Sequence, residues 1–243
     1  MNTQIANDRV ADYKWKSLYQ AGGVGALIVA TLLLVESIVY IATSAPSLAD
    51  AAGWFSLFHS SRFVGLVDFG ILELYGLLLF VPVFLALYLV LRRASESYMA
   101  MAVILAFAGI AANFATSKLF TILSISDLYA AATTEALRSQ FLTAGQAALA
   151  VSALGGISGS VEGGIPLAVS GLIISIIMLR SNILGRGAGV LGILANGIGL
   201  MMYINAAVGP AMAGSPFFSA FFLLSVTWFI LIGQALLCIS RAC

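Results

Sequence analysis

Five ionisable side chains stand inside or at the edges of long apolar stretches of this chain. They are Glu36, Asp68, Glu73, Lys118 and Glu162. A charge in the hydrocarbon region of a bilayer costs at least about 2.5–3.5 kcal/mol on insertion scales, so such groups normally face a bundle interior or a wet cavity. We therefore expect these side chains to gather in one polar cluster, which Asn113 extends from about one turn before Lys118.

The most economical arrangement of this cluster pairs Lys118 with Glu73 or Glu36. Opposite charges in a low dielectric offset part of each other's desolvation, whereas an unpaired group shifts its pKa and becomes neutral. Two interpretations follow. The cluster is either a salt bridge that fixes helix register, or an outward-facing wet pocket whose extra carboxylate binds a cation or carries a proton.

Other chemistry finds little support in the sequence. The only histidine is His59 and the cysteines are Cys238 and Cys243, so a Ser/His/acid triad, a bis-histidine haem and a cysteine-rich metal site are not indicated. Paired-acid hydrolysis or a carboxylate metal site at Glu36, Glu73 and Glu162 is an open alternative, but no fixed spacing supports it. Residues 187–192 match G-x-G-x-x-G, but they open an apolar helix and follow no strand, so they do not predict dinucleotide binding. We predict a protein that is not an enzyme and needs no metal or other cofactor.

The amino-acid composition indicates that the helices carrying these ionisable side chains lie in a membrane. Of 243 residues, 61% are hydrophobic and 9% are charged, whereas a soluble domain carries about a quarter charged residues. The formal net charge of +1 offers no surface for nucleic acid. The chain is therefore an integral membrane protein whose first partner is the lipid bilayer.

Six stretches approach the roughly 20 apolar residues that cross a bilayer. They are 21–43, 64–91, 98–123, 165–179, 189–208 and 217–239. Residues 1–20 carry charges and no apolar run, so they predict a cytoplasmic segment rather than a signal peptide. We predict an all-α transmembrane bundle that forms a single domain, 21–243, with an interfacial aromatic helix at 47–61 that anchors it at headgroup level.

Segment 127–160 decides the topology. If it stays on one side, eight of the eleven Lys and Arg residues fall on one face, as the positive-inside rule favours. We therefore predict six spans with both termini cytoplasmic and an external amphipathic or re-entrant helix at 127–160; seven spans are the alternative. Glu135, Arg138 and Gln146 on this segment belong either to an ordinary capped helix or to a lid over the bundle.

Small residues predict where helices meet. Gly189, Gly192, Asn196 and Gly199 recur at spacings of three, four and three, which places them on one helical face. Small residues let helix backbones approach closely in lipid. This face predicts contact with a neighbouring helix, either within the chain, in a second copy or in another membrane subunit.

Four segments carry a likeness to a known family. They are 91–97 (LRRASES), 129–136 (YAAATTEA), 141–147 (FLTAGQA) and 178–182 (MLRSN). In order and spacing the chain from about Tyr19 resembles the prokaryotic membrane proteins grouped as domain of unknown function family 4386. The resemblance implies a cytoplasmic-membrane protein of about six helices and implies no activity. The chain departs from that pattern with glycine pairs at 155–156 and 163–164, where such sequences tend to be aromatic.

Two functions follow as hypotheses. The first is a protein that binds or moves a small molecule or ion through an outward polar pocket. The second is a non-catalytic accessory subunit that docks into a larger membrane complex through its glycine-rich faces.

Overall fold

The described part of the chain is helical and contains no strand. The computed structural model describes residues 13–43, 45–47, 49–153, 161–208 and 216–242. After a short 3₁₀ turn, Tyr13–Trp15, the helices are α1 (Lys16–Thr43), α2 (Ala51–Ser60), α3 (Arg62–Asp68), α4 (Ile71–Leu91), α5 (Glu96–Thr116), α6 (Leu119–Ala131), α7 (Glu135–Ala153), α8 (Val161–Ser181), α9 (Arg186–Val208) and α10 (Pro216–Ala242).

Six segments are long and apolar enough to cross a membrane, and they lie in α1, α4, α5 continued into α6, α8, α9 and α10. The chain is thus an all-α membrane bundle. Each of these helices packs against the next along the chain, and α10 packs back on α1, so the six close into a ring. An even number of crossings places the start of α1 and the end of α10 on the same side.

Close contacts at glycines hold the ring together. A Cβ on Gly22 of α1 would meet Ala86 and the carbonyl oxygen of Pro82 on α4, and a Cβ on Gly109 of α5 would meet the carbonyl oxygen of Gly163 on α8. Since lipid tails are as apolar as leucine side chains, such close backbone approach supplies much of the packing energy between spans.

The predicted packing face of α9 lies inside this ring. Gly189 lies against Leu179 of α8, Gly192 against Ser175 of α8 and Trp228 of α10, Asn196 against Gly171 of α8, and Gly199 against Phe221 of α10. The chain's own helices therefore already occupy this face.

Two predicted spans are interrupted. The second, 64–91, breaks at Phe69–Gly70, where Gly70 has φ 91°, a left-handed conformation that glycine adopts at little cost. The third, 98–123, breaks at Ser117 and Lys118, where the backbone leaves helical geometry before α6 begins. The apolar pattern continues through both breaks, so hydropathy alone merges each pair of helices. The first span also begins earlier than predicted, at Lys16.

Four helices outside the ring, α2, α3, α6 and α7, cover the end of the bundle where α1 ends and α8 begins, and we call them the cap. The aromatic residues of the predicted interfacial segment 47–61 lie in its core: Trp54, Phe55 and Phe58 are at most 4% exposed. They pack with Leu119, Ile122 and Leu149 from α6 and α7. These rings therefore pack against the neighbouring helices of the cap, and the placement of this helix at headgroup level stays a prediction.

We predict that Gly192→Leu destabilises the bundle, because its side chain must enter space held by Ser175 and Trp228. Overpacking of this kind costs about 1–3 kcal/mol or more. Gly197→Leu is the matched control, since a Cβ there meets nothing within 4 Å. Thermal unfolding in detergent should show a lower midpoint for Gly192→Leu alone. Equal midpoints for the two variants would contradict the ring packing.

Candidate functional site

Two buried carboxyl groups interact near the junction of α1 and α3: Glu36 lies about two turns before the end of α1, and Asp68 is the last residue of α3. Glu36 is 7% exposed and Asp68 is 3% exposed. They are close enough for Asp68 to act electrostatically on Glu36. Glu36 Oε2 and Asp68 Oδ1 are buried, and neither has a hydrogen-bond partner among the described residues. We call Glu36, Asp68 and Thr43 the carboxyl site.

Thr43 ties this site to the last turn of α1. Its Oγ1 lies 2.7 Å from Asp68 Oδ2 and 2.8 Å from the carbonyl oxygen of Val39. A hydroxyl has one hydrogen and cannot fully donate to both oxygens. The single hydroxyl hydrogen is therefore shared: Thr43 donates to the carboxylate of Asp68 when Asp68 is ionised, and a protonated Asp68 would leave Thr43 free to donate fully to Val39.

Burial also favours the protonated form of Asp68. Asp68 lies outside the spanning segments, and desolvation raises the pKa of its carboxyl above the ordinary value of 3.8, while the hydrogen bond from Thr43 opposes that rise. Two adjacent carboxylates in a low dielectric cannot both ionise without a compensating charge. The site therefore favours a bound proton or a bound cation.

Glu73 is oriented toward another part of the bundle. It lies in the first turn of α4, is half-buried, and interacts electrostatically with Tyr203 of α9. The ring of Tyr203 lies over Gly164 of α8, where a side chain would collide with it. Glu73 thus lies within electrostatic range of the α8–α9 side of the ring.

Asn113 is 5% exposed and packs at the crossing of α5 and α8. Its Nδ2 donates to the carbonyl oxygen of Gly109 at 3.1 Å, and its side chain fills the space beside Gly163. This contact explains the small residue at Gly163. The structure gives Asn113 a place in helix packing.

Lys118 and Glu162 stand apart from the carboxyl site. Lys118 is half-buried at the break before α6, and within the described ranges it forms no ion pair, so the expected pairing with Glu73 or Glu36 is not formed. The break at Ser117 turns the backbone out of the α5 axis before Lys118. Glu162 is exposed in the first turn of α8.

The predicted lid residues divide by role. Gln146 on α7 binds the segment before α2: its Nε2 donates to the carbonyl oxygen of Ala49 at 2.8 Å, and its Oε1 accepts from the backbone N–H of Ala51 at 3.3 Å. Glu135 and Arg138 form only a solvent-exposed pair 4.0 Å apart. Gln146 therefore docks α7 within the cap.

A second contact links two helices of the cap, α3 and α6, and was not predicted from the sequence. Arg62 on α3 makes two hydrogen bonds, 3.0 and 3.1 Å long, to the two carboxylate oxygens of Asp127 on α6. The two residues are 65 positions apart in the sequence, each beside an apolar run, and no periodic pattern relates them. This bidentate pair links the short helix that carries Asp68 to α6, but both side chains are about half exposed, so its contribution to stability is small.

Charge is divided sharply between the two ends of the described bundle. The end where α1 begins and α10 ends, which we call the basic face, carries the bases Lys14, Lys16, Arg92, Arg93, Arg180, Arg186 and Arg241 and the acid Glu96. The cap end carries the bases Arg62, Lys118 and Arg138 and the acids Glu36, Asp50, Asp68, Glu73, Asp127, Glu135 and Glu162. The carboxyl site thus lies in the acidic half of the molecule.

Comparisons with protein-family models, curated proteins and solved structures give no match to this chain. Within the described ranges, no three His, Cys, Asp or Glu side chains form a group that could hold a metal ion. Among the described residues, the carboxyl site brings together two buried carboxyls and one hydroxyl.

Proposed function

We propose that this protein binds a proton or a small monovalent cation at the carboxyl site and passes it toward the cap side of the bundle. The observation that carries the proposal is the pair of buried carboxyl oxygens, on Glu36 and Asp68, that lack partners among the described residues. Buried acids in membrane proteins usually mark ion or proton paths, because their cost is otherwise unrewarded.

The ligand class follows from the number of donors. A divalent ion such as Ca²⁺ takes six to eight oxygen ligands, and Mg²⁺ demands near-octahedral geometry. The carboxyl site offers two carboxyls, the Thr43 hydroxyl and the neighbouring carbonyl oxygen of Val39. A proton, or one singly charged cation, compensates the pair with fewer ligands.

The expected result of neutralising the site is a loss of pH and cation dependence. Because the folded chain favours protonated Asp68, the wild-type unfolding midpoint should fall as the pH rises above the ordinary pKa of 3.8, and Na⁺ or K⁺ should restore it at the higher pH. Glu36→Gln with Asp68→Asn should flatten both responses. Thermal unfolding in detergent over a pH series, with and without each cation, measures them.

Glu162→Gln is the matched control, since this acid is exposed on the same side of the bundle. It should leave both responses as in the wild type. A double variant that keeps the wild-type pH and cation dependence would overturn the proposal, and so would a control that loses it.

We further propose that the basic face is cytoplasmic, in the inner membrane of a bacterium or archaeon. The charge division between the two ends supports the orientation through the positive-inside rule, and the resemblance of 91–97 and 129–136 to a prokaryotic family supports the membrane. The carboxyl site then lies in the outer half of the bundle.

Cysteine labelling in intact cells tests this orientation. In a background without Cys238 and Cys243, Ser139→Cys in the cap should react with a membrane-impermeant maleimide in intact cells, and Ser97→Cys on the basic face only after lysis. Both serines are exposed. The reverse labelling pattern would contradict the assigned sidedness.

An accessory subunit is the second candidate, and one surface of α9 favours it. Gly197 shares one helical face with four apolar residues that are 46–68% exposed: Val190, Leu194, Met201 and Ile204. Nothing in the described chain lies within 4 Å of a Cβ built on Gly197. A partner helix that used this face would be lost from native mass spectra of the Gly197→Leu variant, whereas cation binding at the carboxyl site would persist.

A further inference from the structure

A groove opens on the basic face between α5 and α8, far from the carboxyl site. It has a volume of about 440 Å³. The residues that line it are Ala94, Ser95, Tyr98, Ile173, Ile176, Ile177, Arg180 and Ser181. The groove thus lies where the last turn of α8 passes the start of α5.

The lining changes character along the membrane normal. Three isoleucines of α8 form the deeper wall, and Ile176 is 40% exposed there. Arg180 lies one turn further along the same helix, at the membrane edge. An apolar wall of about one helical turn below a cation suits a phospholipid, whose acyl chain continues from an anionic headgroup.

The polar rim offers several donors at one level. Arg180 is exposed and forms no hydrogen bond or ion pair with the described residues. The side chain of Ser95 makes no capping hydrogen bond to α5. The first amides of a helix lack intrahelical acceptors and favour an anion. Glu96 is the one acid beside this rim, and it is exposed to solvent.

We infer that this groove binds one anionic phospholipid, with the phosphate at Arg180 and Ser95 and an acyl chain along Ile173 and Ile176. The seven bases of the basic face give the charge complementarity. Basic recesses between spanning helices on one membrane side are typical sites for anionic headgroups. Free phosphate would leave the isoleucine wall unused, so a lipid is the better fit.

Native mass spectrometry of the full chain tests this inference with phosphatidylglycerol and phosphatidylcholine that carry identical acyl chains. The wild type should retain phosphatidylglycerol preferentially. Arg180→Gln should reduce that retention roughly fivefold, as expected for one base near a headgroup. Arg180→Lys should retain most of it, because the charge is kept.

Arg241→Gln is the matched control, since Arg241 is an exposed base on the same face, on α10 and outside the groove. It should retain phosphatidylglycerol as the wild type does. Equal losses in both glutamine variants would overturn the inference in favour of a diffuse basic surface. Displacement of the lipid by millimolar inorganic phosphate would overturn it in favour of a free anion. An unchanged thermal midpoint for Arg180→Gln excludes unfolding as the cause of any loss.

Discussion

The burial of two carboxyl groups that interact electrostatically is the main constraint on the carboxyl site in the cap half of this bundle. Glu36 and Asp68 are each more than nine-tenths buried. If both were ionised in a low dielectric, each would lose its hydration and the two negative charges would repel each other. A compensating proton or cation removes most of that cost. The binding of such a ligand is therefore coupled to the stability of this end of the fold.

The cap explains how that burial is maintained. α3 carries Asp68 on only seven residues, which is too short to hold a fixed position by itself. The bidentate contact from Arg62 to Asp127 ties α3 to α6, and Gln146 ties α7 to the segment before α2. Trp54 and Phe55 fill the space between these helices. The cap thus acts as a small core of its own, built over a ring whose spans are held by small residues.

The sequence predicted the parts of this structure that follow from local pattern. Apolar length located the six spans, and spacing placed Gly192 and Asn196 on one face. Features that depend on tertiary contacts could not be predicted from the sequence. A hydropathy pattern does not indicate that Gly70 has a positive φ. The spacing of charges along the chain does not indicate that Asp127 pairs with Arg62. The expected pairing of Lys118 with Glu73 failed for the same reason, since it assumed an unbroken third span. Glu36 and Asp68 were both named as candidates, yet their pairing required the bend at Gly70.

Infrared difference spectroscopy is the most direct measurement of the carboxyl site. In a neutral buffer whose only cation is a bulky quaternary ammonium, the wild type should show the C=O stretching band of a protonated carboxyl. That band should shift in deuterium oxide, disappear in Asp68→Asn combined with Glu36→Gln, and weaken when Na⁺ or K⁺ displaces the proton. A wild-type spectrum that contains only ionised carboxylate bands under these conditions would contradict the account.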